Sequence, residues 1–189
     1  SPDGSDEAMA SPAEIAPMNA QALIIADFNC ESLAGYLNND EALPRVQART
    51  APFNQVAQCL SDPAHPCWKD PVDALVLWTL PARQLPSFKA GCDHRPGATD
   101  GLLDDVDRFC QMVQQAAVRA KTVLIPSWVV PSQERGLGLL DLKHDQGVAR
   151  MLWQANLRLA DNLKETPGVY VLPAQRWIEL AGARHAVHP

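Results

Sequence analysis

Residues 22–33 read ALIIADFNCESL, and this stretch decides how the rest of the sequence is interpreted. Its first five residues form a short continuous apolar run, which is typical of a strand covered on both faces. An acid, an amide, a thiol, a second acid and a hydroxyl come soon after it, between Asp27 and Ser32. We therefore predict a buried parallel strand that ends in a polar loop, and a helix that begins within that loop.

Similar apolar runs recur along the chain. They cover residues 74–78, 122–126 and 169–172, and a more polar candidate at 46–49 suits the edge of a sheet. Apolar spacing and flanking signals predict intervening helices over about 31–39, 54–60, 106–117, 148–163 and 174–181. Strands that alternate with helices predict an α/β fold, a three-layer sandwich with about five parallel strands.

Composition and charge limit the setting of the protein. The 189 residues suit one domain, and the net charge of −6 argues against a general nucleic-acid binder, which needs a basic face. No signal-peptide pattern opens the chain, and no apolar run approaches the length that spans a bilayer, so we expect a cytoplasmic protein without a membrane partner. Residues 1–20 are predicted to be a linker or a cloning remnant, and residues 21–189 the α/β domain.

The cysteines predict neither disulfides nor a metal site. They are five in number, and no Cys-x-x-Cys pair occurs. Seven residues separate Cys59 from Cys67, with His65 between them, which is a weak metal-like cluster. Reduced thiols are the preferred interpretation.

The first loop supplies the candidate nucleophiles. Cys30 and Ser32 lie at the predicted start of a helix, where backbone N–H groups favour an anion or an oxyanion and can lower a thiol pKa. Asp27 and Asn29 are candidate substrate-binding residues of the same loop. Capping of the helix by Asp27 or Asn29, and packing of Cys30 in the core, are the structural alternatives.

The other loops at the carboxyl ends of the strands supply further candidates, because ligands of such sheets bind at this rim. Asn54 and Gln55 could hold a carbonyl or phosphate oxygen, or simply cap a helix. Trp78, Arg83 and Trp128 could frame a pocket, although aromatic residues at strand ends often close the core. Arg135 lies in the long segment after the fourth predicted strand, where a lid or partner-binding loop is expected.

Several sequence blocks, in the same order, resemble the N-terminal region of FkbH-like proteins over residues 22–189. The blocks are ADFNCESLAGYL, APFNQVAQCL, DALVLWTLPARQLPSF, VLIPSWVVP, ERGLGLLDL, ANLRLADNL and VYVLPAQRWIELAG. The resemblance implies an SGNH-hydrolase-like domain of flavodoxin-like topology that precedes a HAD-type domain. Such proteins take a glyceryl unit from 1,3-bisphosphoglycerate and load it onto an acyl carrier protein in polyketide biosynthesis.

What the resemblance implies for this domain is a supporting part in substrate or carrier binding. The expected partners are the acyl carrier protein and the following HAD domain. The HAD motif Asp-x-Asp-x-Thr is missing from the sequence, so no cofactor is expected in this domain, and magnesium only in the HAD domain.

Two other functions stay open. Glu31-Ser32-Leu33 resembles the Asp-Ser-Leu of SGNH hydrolases, which implies an esterase or acyltransferase acting through Ser32 or Cys30. That chemistry also needs a late Asp-x-x-His pair, and no Asp follows Asp161. The remaining alternative is a non-catalytic structural or dimerisation module.

Overall fold

The sheet of the protein is five-stranded and fully parallel. A computed structural model describes residues 19–42, 45–97, 99–130 and 136–182. The strands lie in the order β2-β1-β3-β4-β5, which is a flavodoxin-like topology. They are β1 Ala20–Ala26, β2 Val46–Thr50, β3 Ala74–Trp78, β4 Thr122–Pro126 and β5 Val169–Leu172.

Helices cover both faces of this sheet, so the architecture is the predicted three-layer sandwich. They are α1 Glu31–Asn39, α2 Val56–Ser61, α3 Pro81–Gln84, α4 Pro86–Cys92, α5 Leu102–Ala117, α6 Val148–Leu163 and α7 Ala174–Ala181. Within the described residues, no helix is both long and apolar enough to cross a membrane.

The core is unequally divided between the two faces. A large apolar cluster packs α2, α4, α5 and α6 against one face of the sheet. A small one packs α1 against the other face through Ile24, Ala26, Cys30 and Ala34. Because β1 contributes to both clusters, its residues 22–26 are all buried, which explains why that strand is apolar without alternation.

The predicted strands and longer helices are confirmed, and β2 lies at an edge as its polarity indicated. Two short helices, α3 and α4, were not predicted. Each begins at a proline, Pro81 or Pro86, whose fixed φ suits the first helical position. They have four and seven residues, too few for helical periodicity to register.

The outer edge of β2 is covered by one side chain. Asn38, near the end of α1, donates from Nδ2 to the carbonyl oxygen of Ala48 at 3.0 Å and accepts from the N–H of Ala48 at 2.6 Å. The N–H and carbonyl of Ala48 point away from β1, since the neighbouring residues of β2 make the bonds to that strand. Asn38 thus satisfies backbone groups that a further strand would otherwise use.

Candidate functional site

A pocket of about 170 Å³ lies where β1 and β2 end, between the two loops that follow them. This is the rim predicted to carry the function. The pocket is smaller than the roughly 300 Å³ at which sites for drug-sized ligands begin. Its lining residues are Ile24, Ala26, Phe28, Asn29, Cys30, Glu31, Thr50, Ala51 and Phe53.

Asp27 does not line the pocket but joins the ends of β1 and β3. Its carboxylate is 1 % exposed and accepts hydrogen bonds from the N–H of Leu80 at 3.1 Å and from Nε2 of Gln84 at 2.7 Å. Arg83 donates to its backbone carbonyl. Burial raises the pKa of Asp27, and the hydrogen bonds from Gln84 and Leu80 oppose that rise. The side chain therefore braces the crevice between β1 and β3, where ligands of doubly wound sheets commonly bind.

Cys30 is a buried, protonated thiol at neutral pH. It is 6 % exposed and packs in the small apolar cluster beneath α1. Burial, and to a lesser extent the nearby charge of Asp27, raise its pKa to about 11. A nucleophilic cysteine needs the opposite shift, toward a thiolate. The geometry therefore agrees with the packing role that the sequence left open for Cys30.

Ser32 lies exposed in the first turn of α1. Among the described residues, its hydroxyl makes no hydrogen bond to His65, His94 or His144, so none of these histidines is in place beside it as a general base. The late histidines His185 and His188 lie outside the described residues. A nucleophilic role of Ser32 stays a prediction.

Asn29 lies two residues before the first residue of helix α1 and also lines the pocket. Its Oδ1 accepts from the N–H of Glu31 at 2.9 Å, which is a local turn of the kind that Asn side chains favour before a helix. Its side-chain nitrogen makes no hydrogen bond within the described part of the chain. The capping alternative is therefore present, and the amide N–H₂ group stays available to a ligand.

The two amides of the second loop do not meet at the pocket. Asn54 is exposed and has a φ of 59°, a left-handed conformation that Asn tolerates better than most residues. Gln55 Oε1 instead lies 2.9 Å from Nε2 of His65, beside α2. Neither side chain contributes to the wall of the pocket.

Aromatic rings make up much of the rim. Phe53 is 61 % exposed, and the guanidinium of Arg83 lies 5.9 Å from its ring centroid. Trp78 contacts Phe28 edge-on at 5.7 Å and Trp177 at 6.1 Å. Phe28 and Phe53 were not predicted from the sequence, although both lie inside the two loops selected there. The available signal was an aromatic residue among polar loop residues.

The indole of Trp128 closes the core, which is the alternative that the sequence left open for it, and it does not line the pocket at the ends of β1 and β2. It is 1 % exposed, packs against Phe109 at 5.3 Å, and donates from Nε1 to Oγ1 of Thr79 at 3.0 Å. Asn156 bonds to both its backbone N–H and its carbonyl, each at 2.8 Å. Arg135, the other candidate after β4, lies outside the described residues.

The assembled site can hold a small polar group but lacks the parts of a hydrolase within the described residues. It offers an amide donor from Asn29, an exposed ring from Phe53 and, beside that ring, the cation of Arg83. An amide, an aromatic ring and a guanidinium are groups that can contact a ligand, and none of the three is a general base.

Comparison with known proteins finds a structural similarity. No family model and no curated protein matches the chain. A crystal structure of the N-terminal part of the protein BF1531 from Bacteroides fragilis, which contains a phosphatase domain complexed with Mg, superimposes with a TM-score of 0.71 at 14 % identity. The match covers 88 % of this chain and 43 % of that chain, so this chain spans less than half of the matched protein. The comparison establishes the α/β fold that the two proteins share.

Proposed function

We propose that this chain is the accessory N-terminal domain of an FkbH-like protein, which loads a glyceryl unit from 1,3-bisphosphoglycerate onto an acyl carrier protein. In this proposal the domain binds the carrier or the substrate, and a following HAD-type domain supplies the phosphatase chemistry with magnesium. The sequence blocks of residues 22–189 are the source of the family assignment. The fold shared with a protein part that contains a phosphatase domain supports it.

One observation carries the accessory role: Asp27 braces the crevice between β1 and β3. Ligands of doubly wound sheets enter at this crevice, and here hydrogen bonds to Leu80 and Gln84 span it. The open pocket lies to one side, between β1 and β2, and is small. A small pocket of mixed polarity rimmed by an exposed ring suits contact with a partner better than turnover of a bound substrate.

The experiment is a titration of the whole ¹⁵N-labelled chain with the holo acyl carrier proteins encoded in the same genome. We expect chemical-shift changes in the loops at 27–32 and 50–55. Phe53→Ala should raise Kd about fivefold or more, because an aromatic contact at the centre of an interface is worth about 1 kcal/mol or more. Tyr36→Ala is the control, since Tyr36 is also an exposed aromatic residue, 78 % exposed, outside the pocket.

Two outcomes contradict the carrier-binding proposal. One is the absence of binding to every holo carrier protein in that set. The other is equal loss of affinity in Phe53→Ala and Tyr36→Ala, which would place the contact elsewhere. Arg135→Ala tests whether the segment after β4 belongs to the same surface.

A second candidate is an esterase or acyltransferase of SGNH type, favoured by the exposed Ser32 next to the pocket. Turnover of p-nitrophenyl acetate by the chain, lost in Ser32→Ala, would establish it and displace the accessory role. Cys30 is tested separately by iodoacetamide at pH 7. Since its thiol is buried with a pKa of about 11, we expect no alkylation before unfolding.

A third candidate is a dimerisation module, favoured by exposed apolar side chains on β5 and on α7, the helix that follows it. Tyr170 is 56 % exposed, Trp177 40 % and Leu180 79 %. Sedimentation velocity over a range of concentrations distinguishes this case, because a dimer that weakens in Leu180→Ser would support it.

A further inference from the structure

Two cysteines and a histidine meet on the opposite face of the sheet from α1. Cys59 belongs to α2, and His65 and Cys67 to the turn that follows. One ligand atom from each side chain can be chosen so that all three lie within 4.8 Å of one another. The sequence offered only a weak signal here, because the ligands are not spaced as Cys-x-x-Cys; the turn after α2 folds back and brings them together.

The separation of Cys59 from His65 is that of two ligands on one metal ion, and Cys67 lies within 4.8 Å of both. Cys59 Sγ lies 3.7 Å from Nδ1 of His65. Two ligands of a tetrahedral zinc ion, with bonds of about 2.3 Å to sulfur and about 2.0 Å to nitrogen, stand about 3.6 Å apart. An ion could therefore enter with small side-chain movements.

One of the two ring contacts of His65, at Nε2, is of the kind that orients a metal-bound histidine. Its Nε2 lies 2.9 Å from Oε1 of Gln55, and its Nδ1 accepts from the N–H of Cys67 at 3.2 Å. A carbonyl oxygen on the distal ring nitrogen fixes the tautomer and the ring orientation of metal-bound histidines. In this arrangement Nε2 keeps its proton toward Gln55, and an ion at Nδ1 would take the lone pair that now accepts from the N–H of Cys67, so binding would replace that hydrogen bond.

The backbone around the three ligands is held in place by side chains from outside the cluster. Trp68 donates from Nε1 to the carbonyl of Cys59 at 2.7 Å, and Arg49 donates from Nη1 to the carbonyl of Cys67 at 2.7 Å. Arg119 donates to the carbonyl of Leu60 at 3.0 Å and lies over the ring of Trp68. A turn fixed in this way loses little further freedom when an ion binds.

We propose that Cys59, His65 and Cys67 bind a zinc ion. Two thiolates and an imidazole form a soft ligand set that suits Zn²⁺, and hard cations such as Mg²⁺ prefer oxygen ligands. Binding replaces the two thiol protons, which pass to solvent, and involves no change of oxidation state. With three protein ligands, a water molecule takes the fourth position, as in open zinc sites. None of the three ligands lines the pocket of the proposed carrier surface.

The test uses the tag-free full chain, stripped with a chelator and kept under a non-thiol reductant so that Cys59 and Cys67 cannot form a disulfide. Zn²⁺ is titrated against a chromophoric competitor, and Co²⁺ serves as the spectroscopic probe. We expect one ion per chain, with thiolate-to-cobalt charge-transfer bands and the visible bands of tetrahedral Co²⁺.

Variants assign the ligands. Zinc should no longer bind at one ion per chain in competition with the chromophore when a ligand is replaced, in Cys59→Ser, Cys67→Ser or His65→Gln. Cys110→Ser is the matched control, since Cys110 is also a buried thiol, 2 % exposed, but belongs to α5. Gln55→Ala keeps every ligand and should weaken binding about 10- to 100-fold, the usual effect of removing an outer partner of a metal-bound histidine.

Three results would overturn the site. They are the absence of tetrahedral thiolate–cobalt bands in the wild-type chain, failure of zinc to compete with the chromophore, and equal zinc stoichiometry in the ligand variants and in Cys110→Ser. The wild-type spectrum decides the matter even where a cysteine variant fails to fold.

Discussion

Two asparagines make the same pair of hydrogen bonds in different surroundings, and their replacement by alanine should have unequal effects. Asn156 binds the N–H and the carbonyl of Trp128, both partly buried. Asn38 binds the N–H and the carbonyl of Ala48, both exposed. Removal of either side chain deletes two hydrogen bonds, but only at Asn38 can water replace them freely.

The magnitudes follow from what each deletion leaves behind. Asn156→Ala leaves two partly buried backbone groups unpaired, at a cost of about 1–3 kcal/mol each. Entry of water and the better helix propensity of alanine, worth about 0.5 kcal/mol, offset part of this cost. We therefore expect the free energy of unfolding to fall by about 2–3 kcal/mol. Asn38→Ala should lose about 0–1 kcal/mol, because water takes both bonds. Asn156→Asp should lose at least as much as the alanine variant, since a carboxylate oxygen then faces the carbonyl of Trp128.

The assay is urea unfolding at pH 7, monitored by far-ultraviolet circular dichroism. The slopes of the free energy of unfolding against urea concentration are compared between variants to confirm that the unfolded states are alike. A difference of about 2 kcal/mol between Asn156→Ala and Asn38→Ala supports the reasoning. Equal losses would refute it, because they would mean that burial of the bridged groups does not set the penalty.

Two further predictions concern charge and backbone geometry. Hydrogen bonds, of which the one from Arg158 has the largest effect, hold the pKa of Asp107 at about 2 in the folded protein. In the unfolded chain the pKa of an aspartate is near 3.9. The ionised Asp107 therefore stabilises the fold fully above that value, and this stabilisation is lost as the pH falls toward 2. Asp107→Asn should therefore lose about 1 kcal/mol at pH 7, after allowance for solvent screening, and almost nothing at pH 2, in urea titrations. Gly168 has a φ of 74°, and an added Cβ would lie 2.9 Å from the carbonyl oxygen of Lys121. Gly168→Ala should lose about 1–3 kcal/mol in thermal unfolding, whereas Gly35→Ala, which meets nothing within 4 Å, should be neutral or stabilising.

The sheet could be predicted from the sequence because its evidence is local. Residues 22–26 are apolar without alternation, which a short strand covered on both sides explains. The long helices α5 and α6 repeat their apolar residues over 16 positions each, which is enough for the period to be clear.

The site could be predicted only in part, because the contacts of its side chains depend on residues that are distant in the sequence. The loops were found from their position after strands, but whether Trp128 lines a pocket or the core is decided by Phe109 and Asn156, which come from two separate helices. Gln55 likewise belongs to the selected loop, yet its partner His65 draws it toward α2. Neither contact has a signature in the local sequence.

The contact between Asn38 and β2 has a consequence for association. A primary amide carries one carbonyl and one N–H₂ group, so the side chain imitates the peptide group that a sixth strand would present. Its bonds to Ala48 occupy the middle of a five-residue edge. An incoming segment, whether from a second copy or from an unfolded neighbour, would have to displace it first. In Asn38→Ala the outer edge of β2 is free to pair with such a segment. We therefore expect this variant to aggregate under mild heating, even where its free energy of unfolding barely changes.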